Sequence, residues 1–508
     1  MKLMLSPALV GCALLALPAS ASVTTTAPSA TPVFVPGPCP APPKPIAELK
    51  QARCGQLIVS ENRHRATSPK IRLSVAIVAA ASAQKKTDPI VWLAGGPGDD
   101  AITEIPMAAA GKLNADRDVI FMSQRGTYTA QPRLACPSVD RWPKDTLNMP
   151  SDSAAAGKAY SVATLKCRQE LASKTSDLGA YNTLESAADL DDLRVAMHIA
   201  KWNVYGISYG TDLALTYLRD HPGGIRSVAI DGVFPPSLAG AGAAWTSAGE
   251  GVNAVFKACQ RQVPCRQRYG DVGATFRRLV NQYEASPKTV AVQVPGHSGK
   301  VSVKISGGML LQWTVSPGTH LAAKVPAAIY ALVHGNPVPI ASTWAAPRVD
   351  AGNIGVLSNG LFYGVSCGEW VPYETEQSVV AAGRRAFPTF PTSVLRNGTL
   401  PFMRENCSDW KVPAVSSLVR AVTESRLPVL VMTSQYDGQT GASFGSYVAK
   451  KLPNSLLVAI PNIAHVAFGS PSESANACAY AITRSFFDVL TKADTSCVRK
   501  VLPTKFVL

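Results

Sequence analysis

From residue 56 onward the chain alternates short apolar runs with turn residues. Gln56 to Ser60, Ile71 to Ala79, Pro89 to Ala94 and Asp118 to Met122 are compact runs rich in Val, Ile and Leu, which predicts strands. The period then lengthens. Between Leu184 and Ala200 the residues Leu190, Leu193, Met197 and Ala200 fall on one helical face, and Asn182 with Glu185 resembles a capping box at its start. A strand over Trp202 to Ile207 follows, then without a pause a helix from about Tyr209 to Arg219, stopped by Pro222, and a strand over Ile225 to Ile230. Strand, helix and strand in that order form a βαβ unit, the signature of an α/β fold with a mostly parallel sheet flanked by helices.

Residues 236 to 412 break the rhythm with basic helical segments, Gly and Pro turns and four cysteines, and they read as a large, mostly helical insertion. The alternation resumes with a strand over Leu427 to Thr433, a helix near Ser443 to Leu452, a strand over Ser455 to Ile460 and a last helix around Ser474 to Leu490. The expected plan is therefore a core in two parts, 46–235 and 413–508, with a cap over 236–412 between core strands. Before it, residues 22–45 hold Pro36, Pro38, Pro40, Pro42, Pro43 and Pro45 and read as an extended linker with little packing.

Composition narrows the class. With 46% hydrophobic and 16% charged residues the chain is too apolar to be disordered, and 38 Gly with 39 Pro show no collagen period. Lys2 followed by apolar Leu3 to Leu17 and then Pro18-Ala19-Ser20-Ala21 predicts a secretory leader, residues 1–21, cleaved near Ala21. The alternative, a lipoprotein box ending at Cys12, is disfavoured because apolar sequence continues beyond it. No other stretch is long and apolar enough to suggest membrane insertion. The expected place is thus a periplasm or the medium. Ten cysteines remain after the leader, none in a CxxC pair, which favours disulfides over a metal site. Pairing in sequence order closes five local loops and is the simplest connectivity, although spacing does not fix it. The net charge of +15 describes a basic surface, and no aromatic-interleaved basic motif points to nucleic acid.

Gly206-Ile207-Ser208-Tyr209-Gly210 matches G-x-S-x-G, in which a tight strand-to-helix turn exposes a serine. The pattern recurs at Ser366 and Ser443, so context must decide. Only Ser208 has an apolar strand directly before it and a helical pattern directly after it. No acid lies between Ser443 and His465, whereas this architecture orders its triad serine, acid, histidine. Ser208 is the candidate nucleophile and Ser366 its main rival.

A serine hydroxyl needs a base to attack a carbonyl at neutral pH. Of seven histidines, His465 follows the last core strand, where open α/β sheets place their sites, while His64, His198, His221, His297, His320 and His334 fall early, on a helix, in a turn or in the insertion. Asp437, after the preceding core strand, is the acid expected to orient it. Gly95-Gly96-Pro97-Gly98 follows an early strand. There the amide of Gly96 or Gly95, with that of Tyr209, is expected to form an oxyanion hole. No metal or organic cofactor is needed.

With these residues in hand the chain resembles α/β-hydrolase serine peptidases of the proline iminopeptidase and tripeptidyl aminopeptidase group. The match rests on Gly95 to Gly98, Gln124-Arg125-Gly126-Thr127, Gly206 to Thr211, Asp231-Gly232-Val233-Phe234-Pro235-Pro236, Asp437 and His465, and the C-terminal region is similar to that of tripeptidyl aminopeptidase-like proteins. The resemblance implies a helical cap, removal of residues from free N-termini, and acidic cap-side groups for the substrate ammonium. Glu369, two residues after Cys367, matches the position of such an acid, with Glu250, Glu374 or Glu376 as possible companions; an ordinary solvated glutamate is the alternative. Ala94 and Ser123-Gln124-Arg125-Gly126-Thr127-Tyr128 depart from the group's pattern in two loops expected to border the site. Residues 236–410 carry 15 Lys and Arg against 9 Asp and Glu, a poor general setting for a cationic terminus. The expected substrate is a short peptide or a small amide or ester. An esterase on the same triad, or a non-catalytic binding protein, are the competing readings, and the oligomeric state is not expressed in the sequence.

Overall fold

The computed structural model describes residues 32–315, 322–398 and 400–508. The expected leader (1–21), the first part of the expected linker (22–31) and His320 lie outside these residues.

Among the described residues the core is a nine-stranded mixed sheet in the order β1-β2-β3-β5-β4-β6-β7-β10-β11. Its strands are β1 (Val33–Pro36), β2 (Arg53–Ser60), β3 (Lys70–Val78), β4 (Ile90–Leu93), β5 (Val119–Met122), β6 (Trp202–Ile207), β7 (Ile225–Asp231), β10 (Val429–Ser434) and β11 (Ser455–Ile460). The pairs from β1 to β5 are antiparallel and those from β5 to β11 parallel. In β4, β6 and β10 every residue is buried, because helices cover both faces and leave neither to water. This arrangement is an α/β-hydrolase fold. The helix Thr183–Ala196 starts where Asn182 Oδ1 accepts the Glu185 amide at 3.0 Å. The Glu185 carboxylate does not return the bond as a capping box requires; it turns to Arg63.

The expected linker is not free throughout. Val33 to Pro36 pair antiparallel with β2, and Cys39 is joined to Cys54. Gly55 permits this pairing, since a Cβ there would lie 2.5 Å from the Val35 carbonyl and 2.6 Å from the Phe34 ring. The prolines that follow suit an exposed sheet edge, where a missing N–H withholds nothing from the ladder.

Between β7 and β10 the chain forms a largely helical layer with its own apolar core. Trp245, Phe256, Phe276, Leu310, Leu311 and Ile329 belong to that core, drawn from helices such as Ala241–Arg261, Val272–Ala285 and Val325–Val333. Inside the layer a two-stranded antiparallel hairpin, β8 (Lys288–Gln293) and β9 (Lys300–Ile305), departs from the expected helical segments. The two strands flank a Pro-Gly-His-Ser-Gly turn, and β9 alternates polar and apolar residues, the period of a half-buried strand. The ten cysteines pair in sequence order: 39–54, 136–167, 259–265, 367–407 and 478–497. Among the described residues no helix is long and apolar enough to cross a membrane.

Candidate active site

Ser208 stands between β6 and the helix Tyr209–Asp220 with φ +52° and ψ −125°, a conformation that side chains rarely adopt. Its neighbours hold it there. A Cβ on Gly206 would meet the Gly210 carbonyl at 2.3 Å, and one on Gly210 would meet the Leu93 carbonyl at 2.2 Å. The two glycines therefore let β6, its following helix and the end of β4 close on one another, leaving the serine at the turn.

The loops after β10 and β11 deliver the partners. Nε2 of His465 lies 2.9 Å from Ser208 Oγ, and its Nδ1 lies 2.9 and 3.1 Å from Oδ2 and Oδ1 of Asp437. Asp437 is buried, and it also accepts the amides of Gln439 and Thr440 at 2.8 Å each and the Thr440 hydroxyl at 2.6 Å. Burial pushes its carboxyl up, but the His465 charge and these hydrogen bonds outweigh that and hold it below the usual range. Burial likewise draws the His465 imidazole down, and the attraction of Asp437 reverses this, raising it above its ordinary value. Asp231, at the end of β7, accepts the amides of Ala467 and Phe468 and so ties down the loop carrying His465. Such an arrangement can take a proton from Ser208 through His465 while Asp437 steadies the imidazolium.

Gly96, with φ +104°, and Tyr209 line the same cavity as Ser208. The Gly95 amide instead bonds the Glu104 carboxyl, which burial pushes up to about 8. Of the two glycines, Gly96 is thus the one whose amide has no protein acceptor among the described residues. The cavity encloses about 320 Å³ under the helical layer, with Trp142, Met309, Trp344, Phe234 and Trp370 in its walls.

A model of the alpha/beta hydrolase fold matches residues 88–280, and one described as TAP-like protein matches residues 395–497. The chain has the alpha/beta hydrolase fold, and its C-terminal part is similar to TAP-like proteins. The chain is 30% identical over 105 residues to a probable proline iminopeptidase of Streptomyces coelicolor, covering 21% of this chain and 32% of that protein. Over 207 residues it is 27% identical to a tripeptidyl aminopeptidase of the same organism, covering 38% and 36% of the two chains. Serine protease Hip1 of Mycobacterium tuberculosis matches over 432 residues at 21% identity, 80% of each chain. The chain spans only 32% and 19% of the length of the proline iminopeptidases it matches.

Glu369 and the Gln124–Arg125 loop sit differently from the sequence expectation, while the rejected serines lie in helices. Glu369 is buried behind Tyr209 and does not line the cavity. One oxygen accepts the Thr183 amide and the other its hydroxyl, each at 2.7 Å, and the same hydroxyl lies 2.9 Å from the Tyr209 phenol. Burial pushes the Glu369 carboxyl up to about 7. The Gln124–Arg125 loop turns inward: Gln124 donates to the Ala94 carbonyl, bracing the glycine loop, and Arg125 is fully buried against Asp189. Ser366 donates its hydroxyl to the Phe362 carbonyl within a helix, and the exposed Ser443 begins another. Sequence reasoning passed over Lys304 and Arg348, which line the cavity. The strand alternation of residues 300–305 was the available signal for Lys304; none marked Arg348.

Proposed function

We propose that this protein is an exported serine peptidase that cleaves short peptides or small amides through an acyl-enzyme. Ser208 attacks the carbonyl, His465 takes the proton and returns it to the leaving amine, and Asp437 keeps the imidazole oriented. The Gly96 and Tyr209 amides receive the developing oxyanion. The observation that carries this reading is the Ser208–His465–Asp437 chain of contacts, each 2.9 Å, at the wall of a cavity under the helical layer. Relatives named as peptidases support amide substrates, and five disulfides with the leader-like start support export. Release of N-terminal residues is the mode that the tripeptidyl aminopeptidase name favours.

One observation favours a second reading. Among the described residues the cavity wall contains no carboxylate to anchor an ammonium, which suits an esterase on the same triad. The deciding test compares a short peptide anilide with a free N-terminus, its N-acetylated twin and a simple ester. Preference for the free amine supports the aminopeptidase, turnover of the ester alone supports the esterase, and Ser208→Ala should lower kcat by about 10⁵- to 10⁶-fold on whichever is cleaved. A Ser208→Ala protein of full activity would remove the mechanism.

A further inference from the structure

The charge of the cavity is one-sided. Among the described residues the only charged side chains in its wall are Lys304, on β9, and Arg348, on the helix Val338–Val349. Neither has a carboxylate within 4.0 Å among the described residues, and the undescribed segments contain no Asp or Glu that could supply one. Asp152, next to Ser151, does not line the wall; it neighbours Glu284, and burial together with that carboxylate pushes its carboxyl up to about 7.

Arg348 is fixed in place without being satisfied. Its guanidinium lies 3.1 Å over the Trp344 ring, and one N–H group donates to the Trp344 carbonyl at 2.8 Å. Stacking on an aromatic wall orients the planar fork. The other guanidinium nitrogens have no acceptor among the described residues. Burial draws Arg348 down to about 9, so it stays a cation at neutral pH. In the same wall the Ser151 hydroxyl is buried with no partner. A half-buried cation without a counter-charge and an orphan hydroxyl in one wall are unfavourable while empty and become favourable when an anion arrives.

We propose that this cavity selects substrates bearing a carboxylate, which Arg348 and Lys304 hold while Ser208 attacks the scissile carbonyl. The proposal rests on the reading of Ser208 as nucleophile for its timing, and on the wall alone for its binding preference. The carboxylate can belong to an acidic side chain or to the free C-terminus of a short peptide. The remaining wall, rich in Trp, Met, Leu and Phe, receives the apolar remainder.

Two matched pairs of peptide anilides or short peptides separate these sources: one pair differs as Glu against Gln, the other as C-terminal acid against carboxamide. The purified mature protein should show a kcat/KM ratio of about tenfold or more in favour of the acid within at least one pair, as a charge-assisted contact gives. Arg348→Gln and Lys304→Gln should each pull that ratio toward one, and Arg348→Glu should turn it toward a Lys-bearing peptide. Arg348→Lys keeps the charge, and should keep part of the ratio, if Arg348→Gln proves too unstable to assay. Ratios near one in both pairs, or ratios that neither variant moves, overturn the proposal. If no peptide is cleaved, calorimetric titration of the Ser208→Ala protein with the same pairs decides. Tighter binding of the acids then upholds the carboxylate site while the peptidase reading fails, and equal or absent binding overturns the site.

Discussion

At the scale of single residues, the ionisation of His465 sets the pH at which this site can act. Only neutral imidazole can accept the serine proton, and Asp437 raises His465 above its ordinary value against the pull of burial. The value of kcat/KM should therefore fall as pH drops through a point above about 6.5 and level off on the alkaline side. Asp437→Asn removes the charge that raises the imidazole, so the acid limb should move to lower pH while the plateau drops by about 10⁴-fold. A limb that stays in place in this variant would assign the ionisation to another group. Ser208, Asp437 and His465 were legible because strand ends and chain order constrain them together. Glu369 was misplaced for a physical reason: a glutamate near a cap cysteine looks the same in sequence whether it faces substrate or, as here, bonds the Thr183 amide and hydroxyl.

Among the elements, the contact between β4 and the helix after Ser208 is the tightest constraint on the site. Gly210→Ala would press a methyl group against the Leu93 carbonyl, a backbone atom that cannot swing aside. A loss of about 3 kcal/mol is expected, read as a lower melting temperature, with a fall in kcat because Gly95 and Gly96 follow Leu93 after one residue, Ala94. Gly223→Ala, with nothing within 4 Å of its added carbon, should leave both within error and serves as the control. The buried strands were readable because continuous apolar runs between turns have few alternatives. The β8–β9 hairpin was not, because a short alternating segment among helices is outweighed by its neighbours. β1 escaped for a different reason: a proline-rich stretch carries no apolar period, and only the edge of β2 gives it a partner.

For the molecule as a whole, a buried ionic knot ties the first half of the sheet to its helices. Arg125 meets Asp189 through two bonds of 2.8 Å and donates to the carbonyls of Glu61 and Ala180, while Arg63 joins from the other side. Burial raises the Asp189 carboxyl, but the two guanidinium groups hold it below its usual value. Its stabilising contribution is therefore complete above about pH 4 and is lost as pH falls through the lower folded value. Arg125→Met should destabilise by about 3–5 kcal/mol, since it takes one of the two guanidinium partners from the buried Asp189 and the donor from two carbonyls; denaturant melts at pH 7 measure it. None of this was visible in a lone Gln-Arg-Gly segment, whose partners lie dozens of residues away.

The order of the disulfides bears on how the chain is made. Each cysteine bonds to the next one in sequence, and the widest loop, between Cys367 and Cys407, spans 40 residues. A polypeptide threading N-terminus first through a membrane pore would present each pair together before the next pair appears. An oxidase that simply joins thiols as they emerge would then write all five native crosslinks with no proofreading by an isomerase. The same vectorial order withholds residues 429–465, and with them Asp437 and His465, until nearly all of the chain has crossed. If the protein is exported as proposed, Ser208 would meet its base and acid only after crossing, and would stay unarmed on the side of the membrane where it is synthesised.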